Sequence, residues 1–187
     1  MAGIRRNHAD RPRRRSVHPV DVHHEFGVPV NAALNAALDD ARAAWRSTGD
    51  ASALVAHIPY AAWLGLHITR AADGAPVFHL PFRDTLIGNY KLPALHGGVT
   101  AGFAENAATL HLLLVQDEPR IPKTVDFSID YLRSAHAADL QAECTVERLG
   151  HRVAQVQVRV IQDDGKEAAR RTIALARMHF ILYSPEP

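Results

Sequence analysis

The chain has 187 residues, 47 % of them hydrophobic and 22 % charged, with a formal net charge of +1. Such a length and apolar content make one globular domain with a real core and exclude a wholly disordered chain. Near-neutrality argues against nucleic acid as the domain's partner, and no apolar run reaches the ~18 residues of a membrane span.

The charge is uneven along the chain. Arg5, Arg6, Arg11 and Arg13-Arg14-Arg15 make residues 1–28 a basic tail with too little apolar content to fold. That stretch has no signal-type apolar segment, and the lone cysteine, Cys144, suits a reducing, cytoplasmic setting. Residues 29–53 read as a helix and linker. From Pro29 to Arg46, Val30, Ala33, Leu34, Ala37, Leu38, Ala41 and Trp45 recur at helical spacing, and Ser47-Thr48-Gly49-Asp50 stops the run. The main domain is then 54–187. Leu66–Arg70 and Pro76–Phe82 read as two strands around the Asp73-Gly74 turn.

His96-Gly97-Gly98 opens a second helix, predicted to run to about Val115, in which Glu105 is the only fully charged residue. A helix start offers unpaired N–H groups and partial positive charge, and glycine lets the backbone approach a ligand closely. At 100° per residue, Val99, Phe103, Leu110 and Leu114 form a stripe suited to a sheet. Gly98, Gly102, Glu105 and Thr109 fall together elsewhere, so the carboxylate sits on a face of small residues. Two readings of Glu105 stand side by side: a solvated stripe, or a carboxylate paired with oxyanion donors for attack on an acyl carbonyl.

Beyond this helix the hydrophobic period becomes two. Val125, Phe127, Ile129 and Tyr131 alternate with Thr124, Asp126, Ser128 and Asp130. Leu140 to Val146 and Ala154 to Val160 alternate likewise, and 167–182 is a fourth run. Gly150-His151 and Asp163-Asp164-Gly165 read as hairpin turns. Two strands, a helix and four antiparallel strands give an α+β fold with the helix against one sheet face. The twelve histidines lack ligand spacing, so no metal is expected. A Gly-x-Ser-x-Gly turn is absent, which argues against a serine hydrolase, as are the glycine-rich nucleotide-binding patterns.

His96-Gly97-Gly98 with Glu105 nine positions after the histidine resembles the signature of hotdog-fold acyl-CoA thioesterases of the phenylacetate-pathway (PaaI-like) group. Ile58-Pro59-Tyr60-Ala61-Ala62-Trp63-Leu64-Gly65-Leu66 is similar to that family's N-terminal segment. Thr124 to Ala135 is similar to the strand after its central helix, and the likeness spans roughly Leu54 to Tyr183. It implies an antiparallel sheet wrapped around a central helix, here with an extra N-terminal helix, and hydrolysis of an acyl-CoA without cofactor. It also implies that the Gly97 N–H polarises the thioester carbonyl and that Glu105 acts as general base or nucleophile. Thr109 and Thr124 match positions where a hydroxyl assists, and Asn89 matches a residue that orients water or acyl group. Asn89 stands seven residues before His96 where six is common, and Glu105 stands where many relatives carry Asp. His96 either shapes the turn or acts as a base. Gly98 joins the substrate-binding set, and Arg133 and Arg152, flanking strand ends, are candidate CoA-phosphate contacts with ordinary surface charge as the alternative. Gly97 and Glu105 lie about 12 Å apart along one straight helix at 1.5 Å per residue, so one chain cannot easily bring both to one thioester, whereas two chains about a two-fold axis can, as the resemblance also implies. The expected assembly is therefore a homodimer, or a dimer of dimers, with a shared site. A non-catalytic acyl-CoA-binding protein and a hotdog hydratase or dehydratase are the alternatives.

Overall fold

The computed structural model describes residues 32–117, 120–163 and 170–183. The basic 1–28 tail and the start of the first predicted helix lie outside them. Helix α1 (Ala32–Thr48) buries Leu38, Ala41 and Trp45, as its spacing predicts. It ends at Gly49, whose φ of +80° lets its N–H reach the Trp45 carbonyl at 2.9 Å.

Two short helices follow, α2 (Ser52–Ala56) and α3 (Pro59–Leu64). The hydrophobic period did not announce them, because each is under two turns long. Leu54, Ala61 and Leu64 of this pair are fully buried. Strands β1 (His67–Arg70) and β2 (Pro76–Leu80) form the expected hairpin, somewhat shorter than the sequence run. A 3₁₀ turn (Asp84–Leu86) leads into a small ribbon, β3 (Ile87–Asn89) with β4 (Ala94–Leu95), which the sequence reading does not contain.

Helix α4 spans Gly97–Val115, and four strands follow it: β5 (Ile121–Tyr131), β6 (Leu140–Leu149), β7 (Val153–Asp163) and β8 (Arg170–Tyr183). The main sheet has the order β1-β2-β6-β7-β8-β5, with every neighbouring pair antiparallel. α4 packs on one face of it, which is the wrapped-helix architecture the resemblance implies. Phe78, Phe180, Met178, Val156 and Val160 point from the sheet toward that helix and are fully buried.

The expected two-sided α4 needs correction. Phe103, Leu110 and Leu114 are buried as read, but so are Ala104, Ala107, Ala108, Leu112 and Leu113. α1 and α3 cover flanks that the sheet leaves open. The least buried line is still Gly98, Ala101, Gly102, Glu105 and Thr109. The far end of α4 is tied to α1. Arg42, 3 % exposed, donates to the Gln116 carbonyl, and Arg46 donates to the same oxygen at 3.3 Å. Two cations thus meet the negative end of the helix dipole.

β5 departs from simple alternation. Its pairing with β8 shifts between Thr124 and Asp126, so Val125 is a bulge residue and is 53 % exposed. Thr124 pairs with Phe180 and Phe127 with Met178, which places Thr124, Phe127, Ile129 and Tyr131 on the helix side. Simple alternation with Phe127, Ile129 and Tyr131 puts Val125 inward and Thr124 outward. A bulge inserts one residue and flips the phase of everything before it.

His111 on α4 is 8 % exposed, sits edge-on to Phe78 with ring centroids 6.1 Å apart, and its Nδ1 has no partner among the described residues. Burial pushes its pKa down to about 4. The unfolded chain therefore binds a proton at this ring below pH ~6.5 that the native chain refuses until pH about 4. Stability should fall as pH drops through that window, by up to about 3 kcal/mol from this group. Urea melts between pH 7 and 4 check this: His111→Leu should flatten the slope, and an unchanged slope would assign the acid sensitivity elsewhere.

Candidate active site

The first turn of α4 is built from two peptide units with different duties. His96 is the N-cap, with extended φ and ψ, and its Nδ1 accepts the Gly98 N–H at 2.9 Å. Its ring therefore keeps its proton on Nε2 when capping. The His96 carbonyl accepts from Val99 N–H at 2.9 Å and Thr100 N–H at 3.2 Å, so it faces into the helix. Because that peptide is trans, the Gly97 N–H points the other way, out of the helix end. It has no hydrogen-bond partner among the described residues.

Glycine is required here by contact. A Cβ on Gly98 would lie 2.9 Å from His96 Nδ1, against the capping bond itself. A Cβ on Gly88, in the bulged part of β3, would lie 2.6 Å from His96 Cα and 2.7 Å from its Cβ. Gly88 thus lets the ribbon pass beneath the cap, and the His96 N–H bonds the Leu86 carbonyl at 2.9 Å. Periodicity gives no signal for this residue, since the contact crosses from β3 to the helix start.

A cleft of about 490 Å³ opens beside the helix end and is lined by Gly97, Thr100, Asn89, Tyr131, Arg133 and Ser134, with Leu95, Leu132 and Ile173 among its apolar walls. Of the residues singled out in the sequence, Gly97, Asn89 and Arg133 meet here, with His96 and Gly98 at its edge. Asn89 Oδ1 accepts the Lys91 and Leu92 N–H groups at 3.0 and 3.3 Å, which shapes the ribbon's loop and leaves the amide nitrogen for other partners. Arg133 donates to the Thr172 carbonyl at 2.9 Å.

The other candidates do not reach this cleft within one chain. Glu105 and Thr109 lie two and three turns along α4 on its least buried line. Thr124 is near the start of β5, while Tyr131 ends that strand at the cleft. Arg152 lies in the β6–β7 turn, where its carbonyl accepts the Leu182 N–H at 2.9 Å, roughly 27 Å along β8 from the cleft end at ~3.4 Å per residue. Beside Gly102, Tyr60 fills the space that a side chain would need, its hydroxyl 2.9 Å from a Cβ built there. Tyr60 stacks on Trp63 at 5.7 Å, and Arg83 lies 5.5 Å over Trp63.

Burial, with the neighbouring Glu143 carboxylate, pushes the Cys144 thiol pKa up, away from the thiolate a nucleophile needs. Among the described residues no group of three His, Cys, Asp or Glu side chains is placed to hold a metal ion, and no helix is long and apolar enough to cross a membrane.

The family model for the thioesterase superfamily matches residues 92–169, which hold the capped glycines, α4, the cleft strand and the hairpin beyond. A protein of known structure from Chromobacterium violaceum is 35 % identical, with a TM-score of 0.59, covering 80 % of this chain and 98 % of that one. The chain belongs to the thioesterase superfamily. An X-ray structure of another superfamily member is 28 % identical with a TM-score of 0.61, covering 78 % of this chain and 98 % of its own. The medium/long-chain acyl-CoA thioesterase YigI of Salmonella typhimurium is 28 % identical over 123 residues, 59 % of this chain and 79 % of the relative. This thioesterase therefore has the hotdog fold, with α4 as its central helix, and is a thioester hydrolase.

The contact at Gly88 gives a prediction. Gly88→Ala forces the ribbon or His96 to move, an overpacking that costs about 2 kcal/mol and about 4–8 °C of Tm at this chain size. Thioester turnover should fall with it by at least ~10-fold, on the scale of a displaced donor. A thermal melt and a thiol-release assay on the variant check both; unchanged values would show that the ribbon yields freely.

Proposed function

We propose that this thioesterase hydrolyses an acyl-CoA to a carboxylic acid and free CoA at a site shared by two chains. The observation that carries the reading is the Gly97 N–H, without a partner among the described residues and directed out of the α4 start, in a cleft walled by an amide and an arginine. In this reading the thioester oxygen accepts from that N–H, where the helix dipole also favours developing negative charge. The partner's Glu105 takes a proton from water as water attacks the carbonyl carbon, or attacks that carbon itself to form an anhydride that water then cleaves. In either case the C–S bond breaks, and the departing thiolate takes up a proton. His96 serves as the cap. Asn89 orients the water or acyl group through its amide nitrogen, and Arg133 meets a CoA phosphate. The kinship with YigI supports a medium or long acyl chain.

Two features support the shared site. Gly97 and Glu105 are separated by about 12 Å along one helix at 1.5 Å per residue, beyond the reach of one thioester group. β5 is an eleven-residue strand at the edge of the sheet, and a long open edge calls for a partner. Pairing it antiparallel with the partner's β5 about a two-fold axis sets the Tyr131 end of one strand beside the Thr124 end of the other. Thr124, Thr109, Glu105 and Arg152 of one chain then serve the cleft of the next. The same reading keeps 54–187 as the thioesterase unit, 29–53 as an added helix and linker, 1–28 as a basic tail, and the cytoplasm as the compartment.

A panel of acyl-CoA esters with a thiol reagent should show CoA release by the wild type, and Glu105→Gln should lower turnover at least ~10²-fold, the scale of general-base loss. Binding without release by the wild type would make the protein a binding module instead. Gly97→Pro removes the N–H at a helix position that tolerates proline. Mixing the two inactive variants at random should restore about a quarter of the wild-type sites, since half the dimers are mixed and each has one good site. Confirmed chain exchange without recovered activity would refute the shared site.

A further inference from the structure

The peptide unit between Gly97 and Gly98 is held from both sides. Its N–H donates to His96 Nδ1 at 2.9 Å, and its carbonyl accepts the Tyr131 hydroxyl at 2.8 Å. Tyr131 comes from the end of β5, thirty-four residues away in the chain. A Cβ on Gly97 would lie 3.4 Å from both the Tyr131 hydroxyl and the ring carbon that bears it, so the phenol stands about one methyl group away from the glycine. Two consecutive glycines at a helix start are the least constrained backbone the chain has. Nothing in their own side chains fixes the orientation of the first turn.

We infer that Tyr131 is a positioning residue for the oxyanion donor: its hydroxyl locks the Gly97–Gly98 peptide and so holds the adjoining Gly97 N–H in its outward direction. The inference rests on the reading of Gly97 as that donor. One end of the locked peptide is anchored in the helix's own cap and the other in the sheet, so the helix start cannot rotate without breaking a bond to one of them. Within a single chain Tyr131 is 52 % exposed, so the bond adds little to the stability of the isolated chain. Tyr131 is also one of the residues that line the cleft.

Tyr131→Phe keeps the ring and removes the hydroxyl. With the acyl-CoA that the wild type cleaves fastest, kcat should fall about tenfold, the scale of one neutral hydrogen bond, with KM changed less than twofold. Amide exchange at Gly98 should quicken about tenfold in the same variant, a readout that needs no catalysis. 3-Fluorotyrosine at position 131, which retains the hydroxyl, should restore both. Unchanged exchange at Gly98 overturns the inference, as does a rise in KM with kcat intact, which would mark Tyr131 as a substrate contact. If Glu105→Gln abolishes turnover while Tyr131→Phe leaves it whole, the clamp fails and the thioesterase site stands. If neither variant changes turnover, the assignment of the site itself fails, and the Gly98 exchange still decides whether the clamp exists.

Discussion

A nineteen-residue helix with a single charged side chain cannot stand in water, and the rest of this molecule is arranged around that constraint. The hydrophobic effect drives α4 onto the sheet, but one flat face could cover only part of it. The sheet supplies Phe78, Met178 and Phe180, while α1 and α3 close over the sides. Arg42 and Arg46 answer the carbonyls at the C-terminal end of the helix. Burial this complete leaves one line of small residues open, and Glu105 lies on it.

Burying a helix raises the question of its orphan N–H groups. Here the cap answers selectively. His96 takes the Gly98 N–H, and its carbonyl turns inward to Val99 and Thr100. Among the described residues this leaves the Gly97 N–H without a partner, aimed outward at the helix's positive end. The tight fit of Gly88 under His96 and the hydrogen bond from Tyr131 to the Gly97 carbonyl restrain that turn despite its two glycines. Preorganisation of this kind is what makes a backbone donor effective toward a developing oxyanion, because no reorganisation is needed when charge appears.

The bulge at Val125 links the cleft to the sheet edge. By flipping the phase of β5 it keeps Thr124 on the helix side together with Phe127, Ile129 and Tyr131. Without it, a threonine and the tyrosine seven residues later would face opposite sides of the sheet, since side chains alternate with period two. One inserted residue therefore lets a single strand offer polar groups to the helix side at both of its ends.

The order of the main elements was legible from residues alone. The helical spacing of Leu38, Ala41 and Trp45 and the alternation in β6 and β7 each carry a period that only one kind of element satisfies, while the run after His96-Gly97-Gly98 is marked as a helix by its length and its glycine start. For the site, paired glycines before a helix whose only charge is one carboxylate mark Gly97 and Glu105 as candidates, and the structure adds the outward direction of the Gly97 N–H. What the sequence left dark are contacts between residues far apart in the chain. α2 and α3 are too short to show a period, and the β3–β4 ribbon has only three and two residues per strand. The Val125 bulge changes register without changing composition. Gly88 and Tyr131 matter because each meets the α4 start across the fold, from eight residues upstream of the cap and from thirty-four residues beyond Gly97. Local pattern determines which face of an element seeks the core. Only tertiary packing decides which side chain comes to rest on which peptide, because that depends on where the elements meet.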